Sequence, residues 1–380
     1  MKRIRPRIAI IGAGLGGATA AILLERAGYA VSVYEQAAAF ARVGAGIHLV
    51  PNVMKIMRHI GLERRLRATG FSPEKWLSRD GATGEVLLEI ALGHMAEQRY
   101  GASYLTVHRG DFHDILTNEI SPGAIRFNKR LVGLKTMEGT RAKLSFQDGS
   151  EAEADLVIGA DGLNSKVREL LLGPERPRCS GSVAHRSAFP ASRLGELRLE
   201  DCVKWWSPDR NLVVYYVTRS RDEIHLVSGV PEPEWDPNAA WLPSTTDELR
   251  RAFEGSHPDV QRLIGASQEV TKWPLMARDP LPLWSRGGVV LLGDACHPMK
   301  PHMAQGAAMA IEDAVILVRC LIEVGADRLC DALQLYEANR IDRTTRVQQA
   351  SQRNTWLRDR SDQNLDWVFG YDVFDVALKR

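Results

Sequence analysis

The stretch "RIAIIGAGLGGATAAILLERAG", residues 7–28, restricts the fold of this chain more than any other. Its first five residues read as a short buried strand, and "GATAAILLERAG" reads as a helix that stops at Gly28. The turn between them fits GxGxxG with Gly12, Gly14 and Gly17. Each glycine answers a separate need. Gly12 allows the tight turn, Gly14 lets backbone N–H groups approach a pyrophosphate, and Gly17 lets the helix pack closely on the strand. "YAVSVYEQ" then reads as a second strand ending at Glu35, where a carboxylate can accept both hydroxyls of an adenosine ribose. Such a unit implies a parallel α/β sheet that binds a dinucleotide. Alone, it does not separate NAD from FAD.

Composition removes other classes. A chain of 380 residues suggests two domains, or one with an inserted lobe, and 44% hydrophobic residues can fill a real core. Lys and Arg total 49 against 47 acids, a formal net charge of +2, and the basic residues are scattered, so no nucleic-acid footprint is expected. The opening "MKRIRPRIAII" resembles a signal peptide, but glycines soon interrupt it and no long apolar run follows. The expectation is a cytoplasmic protein without a membrane partner. The five cysteines form no CxxC pair and the ten histidines show no metal-ligand spacing, so neither disulfides nor a metal are expected.

Two later segments narrow the cofactor. "ADLVIGADGLNSKVRELLLG" reads as an apolar strand, a turn carrying Asp161 and a basic helix containing Arg168. "GGVVLLGDACHP" reads as another strand, ending at Asp294, where open α/β sheets bind ligands. GxGxxG, a DG motif and a GD motif in this order resemble the class A flavoprotein monooxygenases, the FAD-dependent aromatic hydroxylases, across nearly the whole chain. The resemblance implies non-covalent FAD in a Rossmann-like α/β domain of the glutathione reductase type. It also implies an inserted, mostly antiparallel β-sheet substrate domain and a C-terminal helical tail. The expected division is 1–75, 100–177 and 276–345 for the FAD-binding domain, 76–99 and 178–275 for the substrate domain, and 346–380 for the tail. As a monomer or homodimer, the enzyme would take NADH, O₂ and a small aromatic carboxylate.

The implied FAD contacts are Gly12, Gly14, Leu15, Gly17, Glu35, Gln36, His48, Arg109 at the pyrophosphate, Leu131 beside the adenine, Asp161, Asp294, Gly306 and Ala307. For Asp161 a structural turn clamp is an open alternative. In "HPMKPHMAQGAAMAIEDA" two prolines stiffen the turn, and the following helix offers free N–H groups to an anionic flavin edge. Glu312 and Asp313 are expected to pair internally.

"CVKWWSPDR", "VVYY" and "TKWPL" resemble the members that oxidise 6-hydroxynicotinate to 2,5-dihydroxypyridine with release of CO₂. That resemblance implies His48 and Tyr215 as catalytic residues, with Cys202, His302 and position 211 at the substrate. The family pattern has histidine at this last position. Asn211 stands there instead, so no direct acid–base task is expected of it. Electrophilic oxygen transfer calls for a deprotonated ring hydroxyl, hence a base of pKa near neutrality or a relay ending in one; His48 is the expected candidate, and Tyr215 would need a partner to act near pH 7. A salicylate-type hydroxylase, a flavin dehydrogenase or oxidase, and a non-catalytic nucleotide-binding module are the alternatives.

Overall fold

The computed structural model describes residues 6–42, 45–237, 239–325, 327–356, 358 and 364–379. Strand Arg7–Ile11 lies inside a six-stranded sheet, flanked in parallel by Ala30–Tyr34 and Leu156–Gly159. Ile125–Arg126 extends one side; Val289–Leu291 and then the antiparallel Ser285–Arg286 extend the other. Residues Leu156–Gly159 are all buried, as expected of a parallel strand covered on both faces. Helix Leu15–Arg26 packs against helix Gly306–Val324, and small residues set their separation. A Cβ on Gly16 would come within 2.7 Å of the Leu292 side chain and 3.0 Å of Ala310 Cβ.

An eight-stranded sheet forms the second layer. In spatial order its strands are Leu242–Pro243, Thr271–Ala277, Arg178–Pro190, Glu223–Pro231, Asn211–Tyr216, Cys202–Trp206, Lys75–Asp80 and Val86–Ala91. Only the pairing of Cys202–Trp206 with Lys75–Asp80 is parallel. Alternation divides its two faces. Leu212, Val214, Leu226 and Val203 enter a core shared with helices Thr246–Ala252 and Pro258–Ala266. Val213, Tyr215, His225 and Lys204 point the other way, into a cavity. The architecture is the expected α/β one, with a mostly antiparallel sheet inserted between segments of the parallel-sheet layer.

Helix Leu329–Arg353 leads into the C-terminal segment, where Asp366–Phe369 forms one more helical turn. The backbone after that turn is held on the parallel-sheet side. Lys55 Nζ donates to the Gly370 carbonyl at 3.0 Å, and Arg319 donates to the carbonyls of Val373 and Val376.

Candidate active site

A cavity of about 410 Å³ separates the two layers, within the usual size of a ligand pocket. Its floor comes from the parallel sheet and its helices; its roof is the eight-stranded sheet. Gly12, Gly14 and Gly17 define one end. A Cβ on Gly12, whose φ is +100°, would lie 2.5 Å from the Ala160 carbonyl oxygen, and one on Gly17 would lie 2.1 Å from the Gly12 oxygen. Nothing lies within 4 Å of the Cβ position of Gly14, which opens on the cavity beside Leu15. Glu35 accepts the amides of Ala13 at 2.9 Å and Ala37 at 2.8 Å, fixing the turn while each oxygen keeps a lone pair for a ligand. Gln36 is exposed beyond it. Leu131 is buried in the main core and lies outside the cavity lining.

Asp161 has other work. It accepts the Ser165 hydroxyl at 2.6 Å and the amides of Lys166 and Val167 at 2.7 and 3.0 Å, which caps helix Lys166–Leu172. Its oxygens are committed to the turn, and the cavity meets its neighbours Ala160 and Gly162 instead. Arg168 then ties this turn to the next one, donating to the carbonyls of Ala295 and Leu163, both at 2.8 Å.

Asp294 is open to the cavity but otherwise surrounded by protein. Burial raises its pKa, while His297 and Arg109 oppose the rise. Arg109 opens helix Arg109–Thr117 and lines the same space; its guanidinium has no hydrogen-bond partner among the described residues. Gly306 and Ala307 begin a helix whose first amides lack intrahelical acceptors. An open glycine turn, an uncommitted arginine, an acid at the strand end and a helix N-terminus of small residues fit the pyrophosphate, ribityl chain and flavin ring of FAD.

Behind this floor lies a closed ion network. Arg340 reaches Asp313 at 2.6 Å and Glu312 at 2.9 Å, Arg343 reaches Glu312 at 2.7 Å, and Asn52 donates to Glu312 at 2.8 Å. Asp313 also accepts the Gly293 amide at 3.0 Å and pairs with His297 at 2.6 Å, so it sets the position of the GD turn. Burial alone would raise both carboxyls. Arg343 and Arg340 hold Glu312 below the usual carboxylate value, and His297 and Arg340 do the same for Asp313. Cys296, His297 and Asp313 lie close enough to hold a metal ion, but Arg340 and His297 already occupy the carboxylate.

In the roof, Tyr215 lies between two histidines, 4.2 Å from the His48 ring and 5.3 Å from that of His225. Gly46 makes room for it, since a Cβ there would sit 2.8 Å from the phenol oxygen. His48, on strand Gly46–Leu49, shares a 2.8 Å hydrogen bond between Nδ1 and the Tyr104 hydroxyl. Burial lowers the His48 pKa from 6.5 to about 3 and pushes the Tyr104 and Tyr215 phenols well up. His48 is therefore neutral at pH 7 and is not a base poised near neutrality. It is a hydrogen-bonding group whose Nε2 has no partner among the described residues. Asn211 and His302 both line the cavity. Burial first, then Lys204 and Lys300, lower the His302 pKa to about 3.

Cys202 does not reach the cavity. It pairs across the sheet with Tyr215, but its short side chain ends in the core, where burial holds the thiol well above its usual pKa. Sequence reasoning passed over Lys204, Arg186, His225 and Trp356, all of which line the cavity. Lys204 left a readable sign, a lysine two places after Cys202 in an otherwise apolar and aromatic strand.

The FAD binding domain family matches residues 5–351. The 6-hydroxynicotinate 3-monooxygenase of Bordetella bronchiseptica is 57% identical over 98% of this chain and 97% of its own. The enzyme of that name from Pseudomonas fluorescens is 56% identical with the same coverage. The crystal structure of Klebsiella pneumoniae HpxO with FAD and uric acid superposes with a TM-score of 0.82 at 27% identity, covering 94% of this chain and 90% of that one.

Proposed function

This chain belongs to the FAD binding domain family as a flavin-dependent aromatic monooxygenase, and on that premise we propose that it converts 6-hydroxynicotinate to 2,5-dihydroxypyridine. The balanced reaction consumes the substrate anion, NADH, O₂ and two protons, and yields the diol, NAD⁺, CO₂ and water. The likeness to two enzymes of that activity over nearly the whole of both chains carries the reading. A cavity wall carrying the buried Lys204 and the half-buried Arg186 supports a carboxylate substrate. The cytoplasm suits this chemistry, because NADH is supplied there and all five cysteines are free. No described helix is long and apolar enough to cross a membrane.

Bound FAD, reduced by NADH, supplies an electrophilic oxygen from O₂. The protein's own task is to present an electron-rich carbon to it. Tyr215 and His48 stand where a ring hydroxyl can hydrogen-bond to both, and neither carries charge at pH 7. A ring hydroxyl that donates a hydrogen bond to the uncommitted Nε2 of His48 gains electron density and enriches the carbon para to it, the carbon that carries the carboxylate. That carbon has no hydrogen to lose, so departure of CO₂ restores aromaticity. Trp76 and Trp356 cover the apolar side of the cavity and keep water from the reacting centre.

The test follows the carboxylate and the oxygen together. With 6-hydroxynicotinate, NADH and isotopically labelled O₂, the product should be 2,5-dihydroxypyridine with one labelled oxygen and one equivalent of CO₂. Labelled product without CO₂ would place the attack on a neighbouring carbon. Unlabelled product would make the protein a dehydrogenase.

A further inference from the structure

We propose that Lys204 is the residue that takes the ring carboxylate of the substrate, an assignment that rests on the carboxylate reading above. The observation behind it is a buried cation without a counter-ion. Lys204 lies in mid-strand, 3% exposed, and lines the cavity. No carboxylate among the described residues pairs with it. Its contacts are the Trp206 ring, whose centroid is 3.6 Å from Nζ, and the Asn354 side-chain oxygen at 3.5 Å. A partly buried lysine elsewhere in this sheet is treated differently: Lys272 meets Glu232 at 2.8 Å and Glu248 at 2.9 Å. Burying an ammonium without an anion costs several kcal/mol, and burial accordingly brings the Lys204 pKa down to about 7. A substrate carboxylate supplies the missing charge.

Sheet register says which end of a ligand meets it. Arg186, Val227, Val213 and Lys204 form one cross-strand row on the cavity side. The next row carries His225, Tyr215 and Cys202. Lys204 and Tyr215 are diagonal neighbours on adjacent strands, about 7–8 Å apart in such a sheet. A ring with para substituents fits that diagonal, its hydroxyl at Tyr215 and His48, its face under Val213, its carboxylate at Lys204 with neutral His302 beside it. Arg186 stands three strand spacings from Lys204, roughly 14 Å away, and is stacked on Trp273 at 5.3 Å. It lies on the other side of Tyr215 from Lys204, close enough for its charge to act on the Tyr215 phenol, and so neighbours the hydroxyl end of a ring placed this way.

The test is binding to the FAD-loaded enzyme without NADH, read as a change in flavin absorbance. The ligands are 6-hydroxynicotinate and its uncharged analogue 6-hydroxynicotinamide. The unsubstituted enzyme should bind the acid at least tenfold more tightly than the amide. Lys204→Met should bind the acid ten- to a hundredfold more weakly and the amide as before, while Lys204→Arg restores most of the acid's affinity. Lys204→Gln replaces the methionine variant if the latter fails to retain FAD. Arg186→Met should keep the preference for the acid. If the unsubstituted enzyme shows no preference, the carboxylate reading itself fails. If it prefers the acid and Lys204→Met does too, or if Arg186→Met is the variant that loses the preference, Lys204 is not the anchor.

Discussion

The floor and the roof of the cavity handle buried charge in opposite ways. Under the floor, Glu312, Asp313 and Arg340 are each fully buried and paired to one another, with Arg343, His297 and Asn52 completing the set. In the roof, among the described residues, Lys204 and Arg186 have no acid partner and the Arg186 Nε has no hydrogen-bond acceptor. The floor's charges are satisfied within the chain and hold the GD turn and the flavin-side helix in place. The roof's charges are left for something that enters. A buried ion is thus a sign of architecture in one wall and of ligand chemistry in the other, and its partners tell which.

The contrast breaks first, if it breaks, at Arg340. Arg340→Leu would leave Glu312 and Asp313, both 0% exposed, without their shared cation. Removing one member of such a set costs about 3–5 kcal/mol. We expect a large fall in melting temperature, measured on the FAD-loaded protein by calorimetry. A loss below about 1 kcal/mol would mean that the network is not the brace described above.

Lys204→Met should act in the opposite direction, with a smaller effect that depends on pH. The folded pKa of Lys204 is lowered from 10.5 to about 7, so between these values the unfolded chain holds a proton that the folded one has released. Folded stability then rises with pH across that window, and below about 7 the protein carries the full penalty of a buried charge. The groups facing Lys204 are His302, itself neutral, and the uncharged Asn354. Substrate-free Lys204→Met should therefore be more stable than the unsubstituted protein at pH 6, on the order of 1–3 kcal/mol, with the gap closing towards pH 10. Denaturant titrations at both pH values measure it, and a gap that widens with pH would overturn the assignment of an unpaired cation.

The floor was legible in the sequence because its demands are local. Gly12, Gly14 and Gly17 are fixed by the path of one turn, and Glu35 by the end of the next strand, so spacing alone located them. The roof was legible only in part. Lys204, Arg186 and His225 come together through register across four strands, and no local spacing marks Arg186 or His225 as cavity residues. Cys202 was misplaced for a related reason: its face was right, but its short side chain ends in the core and does not reach the cavity. The pKa expected of His48 failed because burial between Trp76, Tyr104 and Tyr215 cannot be read from the residues around it in sequence.

The smallest effect on the fold, and the sharpest on function, belongs to Tyr215→Phe. The phenol oxygen of Tyr215 has no hydrogen-bond partner among the described residues, while its ring is held by His48, His225 and the space left at Gly46. Removing the hydroxyl keeps every ring contact, so stability should change by no more than about 0.5 kcal/mol. If that hydroxyl steers the proton of the substrate's hydroxyl, its loss should lower hydroxylation by about a hundredfold or more. Reduction of the flavin by NADH does not use it. The variant should therefore consume NADH and O₂ while forming little 2,5-dihydroxypyridine, and the ratio of product to NADH consumed is the quantity to measure. An unchanged ratio would move Tyr215 from the reaction to the packing of the roof. It would also leave the proton to His48, which lines that end of the cavity and is hydrogen-bonded to Tyr104 behind it.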